Sequence, residues 1–254
     1  MSASRRLFRL FGSIASAAAL IGAEAAVAQT AMDPDNPTCP ASPNWSNYRE
    51  MRFTPQQVEG RRVLLAEGVI DDNVVPRLQA ALDGNPDIAE IWLRSPGGNA
   101  RIGNEAGRLI RDNGMVTRIP SGWACFSACN FMFMGGMARY VDDGGLFIVH
   151  MFTHTGNRDV IRREVAQGED NTVSLIGEIE QQSALLASED NDFLIRMGIS
   201  RRLLTEVMYQ TSAVADASNR ETRRCLTQAQ VNDYNVATVP WQAGARRSAP
   251  ADTK

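Results

Sequence analysis

Histidine is nearly absent from this sequence: His150 and His154 are the two in 254 residues. Chemistry that needs an imidazole base therefore has two candidates and no more. No long apolar run follows the first 22 residues, so no further membrane-spanning helix is expected beyond the N-terminal segment. No basic block follows that segment either, which argues against nucleic acid as a partner. No internal repeat is visible, which excludes repeat architectures.

The first residues, MSASRRLFRLFGSIASAAALIGAEAAVAQT, have the plan of an export signal. Arg5, Arg6 and Arg9 give a positive start, residues 10–22 are apolar and small, and Ala26-Val27-Ala28 fits a small-x-small cleavage site. Residues 1–28 are therefore predicted to be a cleaved signal peptide, and the protein to be periplasmic or secreted. The SRRLFR stretch also fits a twin-arginine signal, although paired arginines occur in ordinary signals. Glu24 and the alanine-rich end favour cleavage over retention as an anchor. Cleavage would leave 226 residues, enough for one domain with a substantial core. Loss of three arginines and Glu24 takes the net charge from −3 to −5. All four cysteines, Cys39, Cys125, Cys129 and Cys225, lie beyond the leader. An oxidising compartment predicts one or two disulfides among them, with three complete pairings open. Zinc is the competing explanation, but the spacing is not the paired C-x-x-C of zinc sites.

Residues 29–58 are rich in Pro, Asn, Ser and Thr and predict an irregular arm. From 61 the pattern alternates. RRVLLAEG (61–68), IAEIWLRS (88–95) and MVTRIP (115–120) read as strands. NVVPRLQAALDG (73–84) and ARIGNEAGRLIRDNG (100–114) read as helices, the first with Val75, Leu78, Ala81 and Leu82 on one face. A helix from about Ser127 to Gly135 follows, then short strands in ARYVDD and GLFIVHMF. Residues 160–210 are predicted mostly helical, RRLLTEVMYQ most clearly, and 242–254 disordered. Strand and helix alternating over short links predict a parallel α/β sheet in a single domain over 59–241.

Two motifs carry possible chemistry. RSPGGN (94–99) links a strand to a helix. Its glycines allow positive φ, and such a turn can leave N–H groups free at a strand end, as an oxyanion hole requires. It can also be only a turn. The second motif is GWACFSACNFMFMGG (122–136). Ser127 begins its apolar helix, so its hydroxyl can serve as an ordinary cap. Alternatively it is a nucleophile, with the Ala128 N–H as an oxyanion donor. Its base would be His150, at the end of a strand-like run; His154 falls in a Thr/Gly/Asn loop and is expected to be solvated. A histidine pair four apart could also hold a metal, but no third ligand is near in sequence.

Gly-rich turn, serine at a helix start and histidine at a strand end, in that order, resemble the Clp-protease proteolytic subunit and signal peptide peptidase group. Its fold is α/β, crotonase-like (ClpP-type), with repeated β-β-α units. The resemblance rests on strand-SPGG-helix at 88–110, on G-x4-S-A-C…G-G-x-x-R from Gly122 to Arg139, and on LFIVHMF. It covers about residues 60–240, strongly at 60–155. It implies Ser127 as nucleophile, His150 as general base, and Gly98 and Ala128 as oxyanion donors. A peptide or protein substrate would be cleaved through an acyl-enzyme, without metal or organic cofactor. It also implies a homo-oligomer built by the helical segment at 160–200, which can equally be a solvated helix.

The sequence departs from the family in two ways. Gly122 stands one residue further from its serine, and Cys125 and Cys129 flank the site, with Cys125 itself a conceivable nucleophile. The family's third member, an Asp, would fall at Thr222 or Arg223, while Asp216 and Glu221 are out of register. A Ser-His dyad or incomplete triad is the resulting expectation. The alternatives are a catalytically degenerate relative that binds peptides or a partner protein, and acyl-transfer chemistry on the same fold.

Overall fold

The structure is a computed structural model and describes residues 32–33, 36–214 and 222–238. The leader at 1–28, the tail at 242–254, Asp216 and Glu221 lie outside the described residues. The described residues form a mixed α/β structure with three sheets.

Two short strands, β1 (Met32–Asp33) and β2 (Asn36–Pro40), pair antiparallel. β3 (Arg52–Val58) and β4 (Arg61–Glu67) form a hairpin, so the stretch at 52–58 is a strand and not part of an irregular arm. The turn residues Glu59 and Gly60 both have positive φ, 48° and 77°, as a two-residue turn matching strand twist requires. β3 is an edge strand, which is where Pro55 can sit without removing a ladder hydrogen bond. Its polar face and proline hid it in the sequence.

α1 (Val74–Asp83) buries Val74, Leu78 and Leu82, one residue per turn. β5 (Glu90–Arg94) is parallel to β4, and its first four residues are all buried, as expected for a strand covered on both faces. α2 (Ala100–Asp112) is capped by Asn99, whose side chain accepts from the N–H groups of Arg101 and Ile102. β6 (Val116–Ile119), β7 (Ala124–Phe126), α3 (Cys129–Met134), β8 (Arg139–Val141) and β9 (Leu146–Val149) follow. β3-β4-β5-β6-β8 make a five-stranded sheet, parallel except at the β3 edge.

The remaining strands make a second sheet, β10-β9-β7, in place of a continuation of the first. β7 and β9 are parallel, and β10 (Arg224–Cys225) is antiparallel to β9. Ser95, just beyond β5, bridges Cys125 and joins the two sheets. Three-residue β7 is too short to show a period, so the pattern before the predicted helix at Ser127 did not reveal it.

α2 and α3 approach closely. A Cβ on Gly107 would stand 2.3 Å from the Phe131 carbonyl oxygen, and one on Gly135 would stand 2.1 Å from the Gly107 oxygen. Gly103 and Gly107, one turn apart on α2, thus let α3 press onto it. α4 (Arg158–Ala166) has no buried residue, and α5 (Glu169–Met197) has none before Leu186. The segment expected to be a clear helix at 201–210 is instead a π-helical turn (Leu203–Val207) and a 3₁₀ turn (Met208–Gln210). α6 (Gln228–Asp233) closes the described fold behind a Thr227–Gln230 capping box.

Arg139 is wholly buried and ties these parts together. Its guanidinium donates to the carbonyls of Val236 (2.7 Å), Asn235 (2.9 Å) and Gly136 (3.0 Å). Burial pulls its pKa down to about 10. No helix among the described residues is long and apolar enough to cross a membrane.

Candidate active site

The SPGG turn is built by Ser95. This serine is wholly buried; its hydroxyl donates to the Gly68 carbonyl at 2.6 Å and accepts from the Gly97 N–H at 3.0 Å. The backbone beyond it runs so close to its neighbours that side chains do not fit. A Cβ on Gly97 would stand 2.7 Å from the Ser127 Cβ and 3.1 Å from the Ala128 nitrogen. One on Gly98 would stand 2.2 Å from the Ile70 carbonyl oxygen. The turn therefore packs directly against the serine.

Ser127 lies in the turn between β7 and α3, not at the head of the helix as its pattern suggested. Its φ is 57°, in the left-handed region that serine seldom occupies. Its N–H donates to the Ile148 carbonyl at 3.3 Å and its carbonyl accepts from the Asn130 N–H at 2.9 Å. Its hydroxyl makes no capping bond to the helix. Instead Oγ lies 2.7 Å from Nε2 of His150. The Cys125–Cys129 disulfide spans the turn. Cys125 is thus half of a disulfide, with no thiol to act as a nucleophile in this form.

His150 follows the last residue of β9 and is half-buried. Its ring packs on Phe126 with 4.7 Å between centroids. Burial lowers its pKa below the ordinary imidazole value, and a hydrogen bond to the Met151 backbone opposes the shift. The imidazole is therefore neutral at neutral pH, able to accept a proton. Among the described residues no carboxylate bonds to it. The pairing of Arg224 with Val149 brings Arg223 alongside His150, where the resemblance would put the acid. The Met151 N–H is held by the Thr211 hydroxyl at 2.7 Å.

Among the described residues neither the Gly98 N–H nor the Ala128 N–H meets an acceptor. Ala128 is 1% exposed, so its unpaired donor is unusual. A Cβ on Gly97 would stand 3.1 Å from the Ala128 nitrogen, so the glycine turn packs close to that peptide.

Several residues at the site were not legible in the sequence. Asn130 is 2% exposed and donates from Nδ2 to the Ile148 carbonyl at 2.7 Å, tying the serine turn to the histidine strand. The one polar residue in CNFMFM was the available signal. Ser95 offered none beyond its place before Pro96. His154 differs from expectation: its Nε2 is buried and finds no partner among the described residues, and its ring stands edge-on to Phe152. The second disulfide joins Cys39 to Cys225.

No protein-family model matches the chain, and no curated protein matches it. Among solved structures it is similar to a point mutant of ClpP1 from Listeria monocytogenes. The two share 13% sequence identity with a TM-score of 0.47, over 68% of this chain and 87% of that one.

Proposed function

We propose that the chain is an exported serine hydrolase of the peptidase type, with a crotonase-like (ClpP-type) fold in one domain. The observation that carries this is the 2.7 Å approach of His150 Nε2 to a Ser127 hydroxyl that caps nothing. A serine held at positive φ with its oxygen on a neutral imidazole is arranged for proton transfer and not for helix capping.

In this reading Ser127 Oγ attacks the carbonyl carbon of an amide while Nε2 takes its proton. The negative oxygen is received by the Gly98 and Ala128 N–H groups. The imidazolium then protonates the leaving amine, and water, deprotonated by the same nitrogen, releases the acyl group. Every step uses groups of this chain, so no metal or organic cofactor is invoked. Two disulfides are compatible with an extracytoplasmic location. The oxyanion donors and the acyl-enzyme give no reason to expect a nucleic acid partner.

A second reading, a degenerate relative that binds peptides, is favoured by one observation: no carboxylate bonds to His150 among the described residues. In serine proteases, loss of that group's effect on the imidazole lowers turnover by roughly 10⁴.

The test is hydrolysis of a mixed peptide library by the oxidised protein. Cleavage that disappears in Ser127→Ala, and falls at least about 100-fold in His150→Ala, is expected. Cleavage that persists in Ser127→Ala, or none by well-folded protein, would leave the binding reading.

A further inference from the structure

β9 divides its residues between two faces. Phe147 and Val149 enter the main core, while Leu146 and Ile148 point to a smaller cluster with Ala124, Cys39 and Cys225. By the two-residue period of a strand, His150 belongs to the second face. On β7 the same face carries Ala124 and Phe126. What covers it is the segment before β3. Cys39 is bonded to Cys225 on β10, and the Asn44 carbonyl accepts from the Ala124 N–H at 2.9 Å. Trp45 then lies stacked on Phe126, with 5.6 Å between centroids and 20° between planes. Phe126 in turn lies against His150 at 4.7 Å. A covalently fastened arm is thus connected through two aromatic rings to the imidazole.

We infer that Trp45 and Phe126 are positioning residues for His150, the disulfide-fastened arm holding the imidazole over Ser127 where no described carboxylate does so. This rests on the reading of Ser127 and His150 as a hydrolytic pair. Phe126 excludes water from one side of the ring and limits its rotation; Trp45 limits the freedom of Phe126. Neither touches the reacting atoms. The charged residues on the neighbouring β10 segment are Arg223 and Arg224; His154 lies further along the same loop. Trp45 substitutions leave all three unchanged.

The experiment compares wild type with Trp45→Ala and Trp45→Phe, all oxidised and checked for folding by near-ultraviolet circular dichroism. Two readouts are taken. One is the titration midpoint of His150 by NMR, assigned against a His154→Gln variant. The other is the pH dependence of reaction of Ser127 with a fluorophosphonate. In Trp45→Ala the midpoint is expected to rise toward the ordinary value of about 6.5, and the reaction rate at neutral pH to fall about tenfold. Trp45→Phe is expected to restore both. A merely structural tryptophan would change the melting temperature and leave the midpoint in place. An unchanged midpoint in folded Trp45→Ala overturns the inference, whatever the rate. A midpoint that moves in a protein whose wild type never reacts at Ser127 supports the positioning and overturns the hydrolytic reading instead.

Discussion

Ser127 is the residue on which the site turns, and its conformation is supplied by neighbours. Gly97 is the most exposed to test. It has φ 86°, and a methyl there would meet the Ser127 Cβ. Gly97→Ala is expected to reduce reaction at Ser127 by about 100-fold or more, because a shift of the proposed nucleophile by a fraction of an ångström spoils the attack geometry. Rates of fluorophosphonate labelling in folded variant and wild type check this. In the proposed reading, His150 sets the pH dependence. Its pKa is depressed chiefly by burial, so the neutral base persists below the ordinary imidazole range. The acid limb of the rate–pH profile is expected to have its midpoint below about 6.5 and to level off by neutral pH. A midpoint above 6.5 would contradict the desolvated environment described here. Both residues were legible as candidates from their types and order. The surroundings of each histidine were not, because a loop composition does not reveal that the His154 Nε2 is buried.

At the scale of elements, α2 and α5 are joined by an unusual polar contact. Asp190 of α5 is buried and accepts from Asn104 Nδ2 of α2 at 3.2 Å. Burial, with the nearby charge of Glu189, pushes its pKa up to about 7. A carboxyl raised in the folded state stabilises fully below its unfolded pKa and loses that contribution as pH rises through the folded value. Stability should therefore fall between about pH 4 and pH 7, by an amount on the order of 4 kcal/mol by linkage. Asp190→Asn is expected to flatten this decline, as measured by urea midpoints at pH 5 and pH 8. An equal decline in the variant would contradict the assignment. The helices and inner strands were legible because their apolar residues repeat every turn or run unbroken, as in Val74, Leu78 and Leu82 or in β5. The β3 edge was not, since half its residues face water and Pro55 reads as a loop signal. The Glu59-Gly60 turn was the missed clue. β7 escaped because three residues carry no period, and with it went the strand-to-helix turn that gives Ser127 its positive φ.

At the scale of the whole molecule, the two disulfides do different work. Cys39–Cys225 closes a separation of 186 residues, whereas Cys125–Cys129 closes a separation of 4. In the chain-entropy account the longer loop contributes about 5 kcal/mol and the shorter one far less. The Cys39→Ser, Cys225→Ser double variant is expected to lose roughly 4–5 kcal/mol of unfolding free energy by urea titration, a loss under about 1 kcal/mol contradicting it. Four cysteines allow three pairings, so neither the pairing nor the arm's path across the second sheet was available from sequence. The same holds for Arg139, recognisable as part of a motif but not as the clamp on Gly136, Asn235 and Val236. Order along the chain suggested which residues to compare; only the folded distances bring the Ser127 hydroxyl and the His150 imidazole together.

The central claim is that Ser127 is an activated nucleophile, and the most direct measurement is the site of covalent modification. The oxidised protein is treated with a fluorophosphonate and the adduct is located by peptide mass spectrometry. A single adduct on Ser127, lost in His150→Ala, is the expected result. An unmodified Ser127 in folded protein, or an adduct on any other residue, would contradict the account.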